Sequence, residues 1–282
     1  MAEPAAVSPS KWSELGVRAL SAAVFIPAAI LDVWAGGVWF TLLVAWLAVL
    51  MAQEWTTMAH RADPLQFALH GASAMAGALL PLAAGLGATA IAIAALWAVS
   101  GLLAYSQEPA GAKWRYLGVP YVGIPAVALV LLRHDPRNGV AAIVWILVTV
   151  WAADTLAYFA GRIIGGPKLA PVLSPKKTWA GLGGAVVGSA AASGLFAMLA
   201  GFHGSAVLAL IAGALALVEQ AGDLFKSALK RHYGVKDSGR LIPGHGGVID
   251  RVDGLVAVAC AAALIGLVRG GLDATGAGLL AW

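Results

Sequence analysis

Residues 139–161 read GVAAIVWILVTVWAADTLAYFAG, and Asp154 is the only charged residue among them. A helix needs about 20 largely apolar residues to cross the hydrocarbon core of a bilayer, and this run is long enough. Working outward, comparable runs occupy 17–35, 37–54, 67–86, 88–106, 115–132, 179–200, 205–222 and 251–268. A soluble protein of 282 residues has no core large enough to hide them all. Composition agrees, at 60% hydrophobic and 11% charged, with a mean hydropathy of +0.84. The expected fold class is all-α: a polytopic integral membrane protein with nine transmembrane helices, the run at 139–161 being the sixth. The 35 glycines suit that class, because small residues let helix backbones approach closely in lipid.

Gly36-Gly37, Gly85 to Gly87 and Gly201 to Gly204 mark tight turns between spans. Longer connections lie at 55–66, 107–114, 162–178 and 223–250. With the N-terminus in the cytoplasm, alternate connections share its side. Every Lys and Arg except Arg133, Arg137 and Arg269 then falls on that side, as the positive-inside rule requires. The net charge of +4 is therefore read as topology, and nucleic acid is not expected as a partner. The run at 17–35 reads as a first membrane helix rather than a removed signal peptide. Trp34, Trp39, Trp55, Trp114, Trp145 and Trp179 fall near span ends, where indole rings anchor at the lipid–water interface. Cys260 is the single cysteine and lies in an apolar run, so disulfides play no part. The chain is expected to divide into N-terminal transmembrane helices, 1–138, and a C-terminal transmembrane region, 139–282.

Polar residues crowd into that second region. Residues 227–253 read SALKRHYGVKDSGRLIPGHGGVIDRVD. Asp250 and Asp253 stand three apart where a helix begins, so both carboxylates face one side. Asp223 ends the preceding span. Carboxylates beside phosphates are a usual way to hold Mg2+; the alternative is that each Asp pairs with a neighbouring Lys or Arg, or caps a helix. Three together beside a basic cluster favour the metal. Gly244-His245-Gly246-Gly247 either lets backbone amides approach an anion or is a plain glycine turn. His245 has no His or Cys partner at zinc-ligand spacing, and reads as a hydrogen-bonding or positioning residue.

In the connection at 162–178, Ser174-Pro175-Lys176-Lys177-Thr178 precedes Gly181, Gly183 and Gly184. The lysines either attract anionic headgroups or, with a helix start and glycines behind them, seat a phosphate. Asp154, with Tyr158 near it, is a carboxylate inside an apolar span and needs a partner there. A Lys or Arg from 162–178 would serve, in a structural or a catalytic role. Glu54, at the end of the second span, poses the same choice and reads as structural.

Taken together these residues resemble the signature of the phosphatidate cytidylyltransferases, the CDP-diacylglycerol synthases. The matching pattern is Ser227, two residues, Lys230-Arg231, four residues, and Lys236-Asp237. It continues through Gly239, Ile242 and Pro243 to His245-Gly246-Gly247 and Asp250-Arg251-Val252-Asp253. Asp154 to Tyr158 with Gly161, Ser174 to Thr178, and Gly222-Asp223-Leu224 are similar to that family as well. The first 140 residues match only as a set of hydrophobic helices.

The resemblance implies a reaction in which CTP and phosphatidic acid give CDP-diacylglycerol and pyrophosphate, in phospholipid biosynthesis. It implies Mg2+, a monovalent cation such as K+, and a homodimer among membrane lipids. It also implies a bacterial-type inner membrane with the site facing the cytoplasm. By position, Asp223, Asp250 and Asp253 would hold metal, and Lys176, Lys177, Lys230, Arg231 and Lys236 would face phosphates. His245, Gly246 and Gly247 would line the same pocket. Asp154, Tyr158, Ser174, Thr178, Ser227, Asp237 and Arg251 would complete the substrate site. Two positions depart from the family pattern. Ala180 and Lys226 stand where glutamates are usual, and both changes remove a carboxylate near the expected pocket; activity is expected to survive them.

The chemistry suits the residues. A phosphate monoester has a second pKa of about 6, so phosphatidic acid is already a nucleophile near neutral pH. No strong base is required, and the chain offers no Ser-His-Asp or Cys-His set. Two other classes compete. A transporter of an anionic substrate would often show two related halves, whereas polar residues here crowd into one. A CDP-alcohol phosphotransferase would carry Ala-Arg and two further Asp soon after Asp253-Gly254, but the next Asp is Asp273. A polyprenol kinase would prefer ATP and leave no nucleotide in its lipid product.

Overall fold

The computed structural model describes residues 27, 29–109, 111–239, 241 and 246–282. Among them, eight helices are long and apolar enough to cross a membrane. The elements in chain order are α1 (Gly37–His60), α2 (Pro64–Ala83), α3 (Gly85–Gln107), and a short α4 (Ala112–Tyr116) leading into α5 (Gly118–His134). Next come α6 (Gly139–Ile163), strands β1 (Lys168–Ala170) and β2 (Ser174–Thr178), and α7 (Trp179–Leu199). The chain ends with α8 (Ser205–His232), α9 (Ile249–Gly270) and a short α10 (Thr275–Leu280). Each expected span from 37 onward has its helix; the span expected at 17–35 lies mostly outside the described residues. To the all-α class the structure adds one small antiparallel hairpin, with Lys168 opposite Thr178 and Ala170 opposite Ser174.

Local chemistry sets the element ends. Asp63 caps α2: its Oδ1 accepts from the amides of Leu65 at 2.8 Å and Gln66 at 3.0 Å, and Pro64 fills the first helical position. The Gln66 amide, above all, holds the Asp63 carboxyl below the ordinary carboxylate range. Thr178 caps α7 in the same way, its Oγ1 accepting from the Gly181 amide at 3.0 Å.

The seam between α6 and α7 is built from small residues. A Cβ on Gly184 would fall 2.4 Å from the Ala160 Cβ and 2.6 Å from the Leu156 carbonyl oxygen. The helices therefore meet at backbone distance. Ser189 Oγ donates to the Thr149 carbonyl at 2.8 Å, and the hydroxyls of Thr149 and Ser193 lie 2.8 Å apart. Gly184, one of the glycines expected to make room for a phosphate, is thus taken up by helix packing.

Two helices run further than the sequence suggests. α1 continues to His60 rather than 54, and α8 to His232 rather than 222. The residues from Asp223 to His232, expected in a connection, form the last turns of α8. Charge ends a lipid-facing run without ending a helix. Asp223, Lys226 and Lys230 recur at three- and four-residue spacing, so they make one stripe of α8. That stripe faces the first turn of α9, and the pairing keeps the helix going.

Glu54 fixes where α9 begins. It belongs to α1 and is 3% exposed. Its Oε1 accepts from the Val248 amide at 2.7 Å; its Oε2 accepts from the Ile249 amide and from Ser238 Oγ, each at 2.9 Å. A helix start leaves amide donors without intrahelical partners, and a carboxylate there also complements the helix dipole. Gly239 and Gly247 press against this carboxylate; a Cβ on either would lie 2.6 Å from one of its oxygens. Glu54→Ala strands the Val248 and Ile249 amides in a buried place, while the Ser238 hydroxyl can still turn to Asp250, and is expected to destabilise the protein by about 3 kcal/mol. Glu54→Gln turns an amide NH2 toward another donor and is expected to cost about half as much. Thermal unfolding of the detergent-solubilised variants measures both, and an unchanged midpoint for Glu54→Ala would contradict this role.

Candidate active site

The stripe on α8 and the first turn of α9 form a ladder of ion pairs. Lys230 Nζ lies 2.6 Å from Asp250 Oδ1. One turn back along α8, Lys226 Nζ lies 2.5 Å from Asp253 Oδ2 and 2.8 Å from Asp223 Oδ1. Lys177, brought in by β2, reaches the other Asp223 oxygen at 2.6 Å. Lysine and aspartate alternate along the seam, so each buried charge faces the opposite sign. Such pairing is what makes charge tolerable where water is scarce.

β2 places this ladder against a cavity of about 360 Å3. Its wall includes Asp154, Tyr158 and Arg162 from α6, Lys176, Lys177 and Thr178 from β2, and Gln220 and Asp223 from α8. Arg162 Nη1 donates to the Tyr158 hydroxyl at 2.8 Å. Lys177 Nζ also donates to Gln220 Oε1 at 2.7 Å, and Gln220 Nε2 donates to Glu219 Oε2 at 2.6 Å. The Asp154 side chain meets that of Glu219. A lysine from 162–178 does approach Asp154, yet its ammonium rests on Asp223 and Gln220.

The structure thus brings together Asp154, Tyr158, Lys176, Lys177, Thr178 and Asp223, and joins them through Lys226 to Asp253. Asp250 stands further along the ladder. Its Oδ2 accepts from the Ser238 amide at 2.9 Å and from Ser238 Oγ at 3.0 Å, which ties it to the Glu54 cap. Gly247 is packed into that cap, and Gly246, at φ 84°, leads into it. Ser174 starts β2 and pairs with Ala170; Ser227 is half-buried on α8. Arg231, Lys236 and Asp237 are exposed, and Arg251, also exposed, lines a separate cavity with Leu43, Trp46 and Val252. His245 lies outside the described residues.

Sequence reasoning missed Glu219 and Gln220. The signal for Glu219 was the same as for Asp154, a carboxylate inside an apolar span. Glu219 is 1% exposed and packs against Gly254 of α9. Lys226 stood out only as a departure from a pattern, and its place between two aspartates was not foreseen.

The three aspartates expected to hold metal do not converge on one point. Among the described residues no three His, Cys, Asp or Glu side chains gather into a group that would hold an ion. Asp223 and Asp253 do converge, with the Lys226 ammonium between them. Mg2+ is commonly bound through one or two carboxylates together with substrate phosphates. The Asp223–Asp253 pair fits that donor set; Asp250 is engaged with Lys230 and Ser238.

Comparison with known proteins gives the chain its family. The model of the cytidylyltransferase family matches residues 16–268. A phosphatidate cytidylyltransferase of Brucella abortus biovar 1 (strain 9-941) is 40% identical over 258 residues, covering 91% of this chain and 94% of that protein. One from Brucella melitensis biotype 1 is 42% identical over 262 residues, with the same coverage. A phosphatidate cytidylyltransferase of Haemophilus influenzae is 39% identical over 145 residues, about half of each chain. With a matched region that includes α1 to α8 and both aspartates of α9's first turns, the chain belongs to the cytidylyltransferase family.

Proposed function

We propose that the protein is a phosphatidate cytidylyltransferase, which transfers the cytidylyl group of CTP to phosphatidic acid. The observation that carries this reading is the cavity lined by Lys176, Lys177 and Arg162 together with Asp154 and Asp223, where Asp223 is the end of the ladder that continues through Lys226 to Asp253. In the reaction a phosphate oxygen of phosphatidic acid attacks the α-phosphorus of CTP. The bond from that phosphorus to the oxygen bridging to the β-phosphate breaks, and pyrophosphate leaves. Both reactants are polyanions, so the task of the site is to bring them together and spread the charge. Lys176, Lys177 and Arg162 supply fixed positive charge at the cavity wall. Asp223 orients Lys177 toward that wall, and Asp250 orients Lys230. Tyr158 steadies Arg162 through its hydroxyl.

The reading includes Mg2+, carried in with the nucleotide and met by Asp223 and Asp253. When bound, the ion neutralises phosphate charge and steadies the departing pyrophosphate. It also includes a cytoplasmic orientation, supported by the Lys and Arg bias, in a bacterial-type inner membrane. Two copies associating as a homodimer belong to it through the family resemblance alone.

Labelled CTP incubated with phosphatidic acid and the purified protein should give labelled CDP-diacylglycerol, and EDTA should abolish the product. Uptake of an anion into liposomes without CTP consumption would instead favour a transporter. Lys177→Met is expected to lower turnover at least about 100-fold, as loss of a charge contact to the reacting phosphates does. Asp250→Asn leaves Lys230 unpaired in the seam and is expected to lower both turnover and the unfolding temperature. Full turnover in Asp250→Asn would remove that carboxylate from the working site.

A further inference from the structure

The cation between Asp223 and Asp253 belongs to the chain itself. Lys226 stands on α8 one turn beyond Asp223, and its side chain is 10% exposed. Its ammonium turns into the seam with α9 and contacts one oxygen from each aspartate, at 2.8 Å and 2.5 Å. Lys177 covers the second oxygen of Asp223. Two lysines thus answer two aspartates within one buried cluster. A free divalent ion bridging the same two carboxylates would stand within a few ångströms of the Lys226 ammonium. At that range like charges repel strongly wherever the surroundings are poor in water.

Geometry leaves Lys226 little freedom to withdraw. Its neighbour one turn on, Lys230, is already engaged by Asp250. Across the seam Gly222 meets the Asp253 carbonyl, where a Cβ would lie 3.1 Å away, so the helices are in close contact beside the ladder. The ammonium is enclosed by helix packing rather than displayed on a loop.

We propose that Lys226 is a built-in cation that fills the bridging position between Asp223 and Asp253 in the free protein. The free protein then binds no divalent ion there, and a divalent ion enters the site only together with the phosphates of the nucleotide. A monovalent ion has no vacancy between these carboxylates either, so turnover does not depend on K+. The clause about the nucleotide rests on the cytidylyltransferase reading; the clause about the free protein does not.

Mn2+ is the probe, followed by its electron paramagnetic resonance signal as it is added to the full-length protein in lipid nanodiscs without nucleotide. Wild type is expected to show no saturable site, and Lys226→Met to gain one at least about tenfold tighter than any wild-type binding. Addition of CTP is expected to bring Mn2+ onto wild type. A saturable wild-type site that Asp223→Asn abolishes would overturn the proposal, and this comparison stands even if Lys226→Met fails to fold. A folded Lys226→Met that gains no site would overturn it too. Replacing K+ by choline in the wild-type assay should leave turnover unchanged, and a loss of tenfold or more would contradict the proposal. The Mn2+ titration needs no catalysis, so a protein that makes no CDP-diacylglycerol would refute the function and leave this inference to be judged by its own result.

Discussion

One buried carboxylate organises the catalytic half of the molecule. Glu54 reaches from α1 to the amides of Val248 and Ile249 and to the hydroxyl of Ser238. Both arms of the segment between α8 and α9 therefore close on the same side chain. With water excluded, each of these hydrogen bonds is stronger than it would be in solvent, and losing Glu54 strands two backbone amides at a helix start. Ser238 passes the constraint on, because its amide donates to Asp250 and its hydroxyl, with one proton, stands between the Asp250 and Glu54 carboxylates. The first turn of α9 is thus placed by a helix almost 200 residues earlier in the chain. From that placement follow the positions of Asp250 and Asp253, and so the register of the ladder with α8.

The ladder in turn explains why the membrane spans can carry so much charge. Aspartates on α9 and lysines on α8 alternate at one-turn intervals, and β2 adds Lys177 at the end that opens to the cavity. A single unpaired member would be expensive in this setting. In sequence they are matched, so the seam is neutral as a whole and polar at every step. The small-residue contact of α6 with α7 brings Asp154 and Tyr158 up to the same cavity. A wide, loosely packed seam there would move the α6 wall away from β2.

Much of this was legible in the chain. Hydropathy located every long helix from α1 onward, because lipid imposes a length and a composition that few other environments do. The glycine turns located the helix ends beside them to within a few residues, whereas the C-terminal ends of α1 and α8 run further than expected. The family resemblance pointed to Lys177 and Asp223, which the structure places together. What escaped was relational. Nothing near Glu54 in sequence names Val248 or Ile249 as its partners. The continuation of α8 to His232 depends on α9 answering its charges, and a window of sequence containing only α8 sees a polar loop. The β1–β2 hairpin is too short and too polar to show period-two patterning. Asp250 was grouped with Asp223 and Asp253 by type and spacing, yet it turns to Ser238 and Lys230 because its backbone lies one turn nearer the cap.

The contact between Lys177 and Asp223 opens onto the cavity, and this makes it an exchange point. A phosphate that settles on Lys177 competes with Asp223 for the same ammonium. Each such replacement releases a carboxylate oxygen into a space that has just gained negative charge. Anion entry thereby creates the local demand for a cation, and the cation in turn strengthens retention of the anion. By linkage the two affinities are reciprocal: whatever factor one ligand adds to the other, it receives back. A single salt bridge at the mouth of a neutral seam is enough to make nucleotide and counter-ion bind as one cooperative unit.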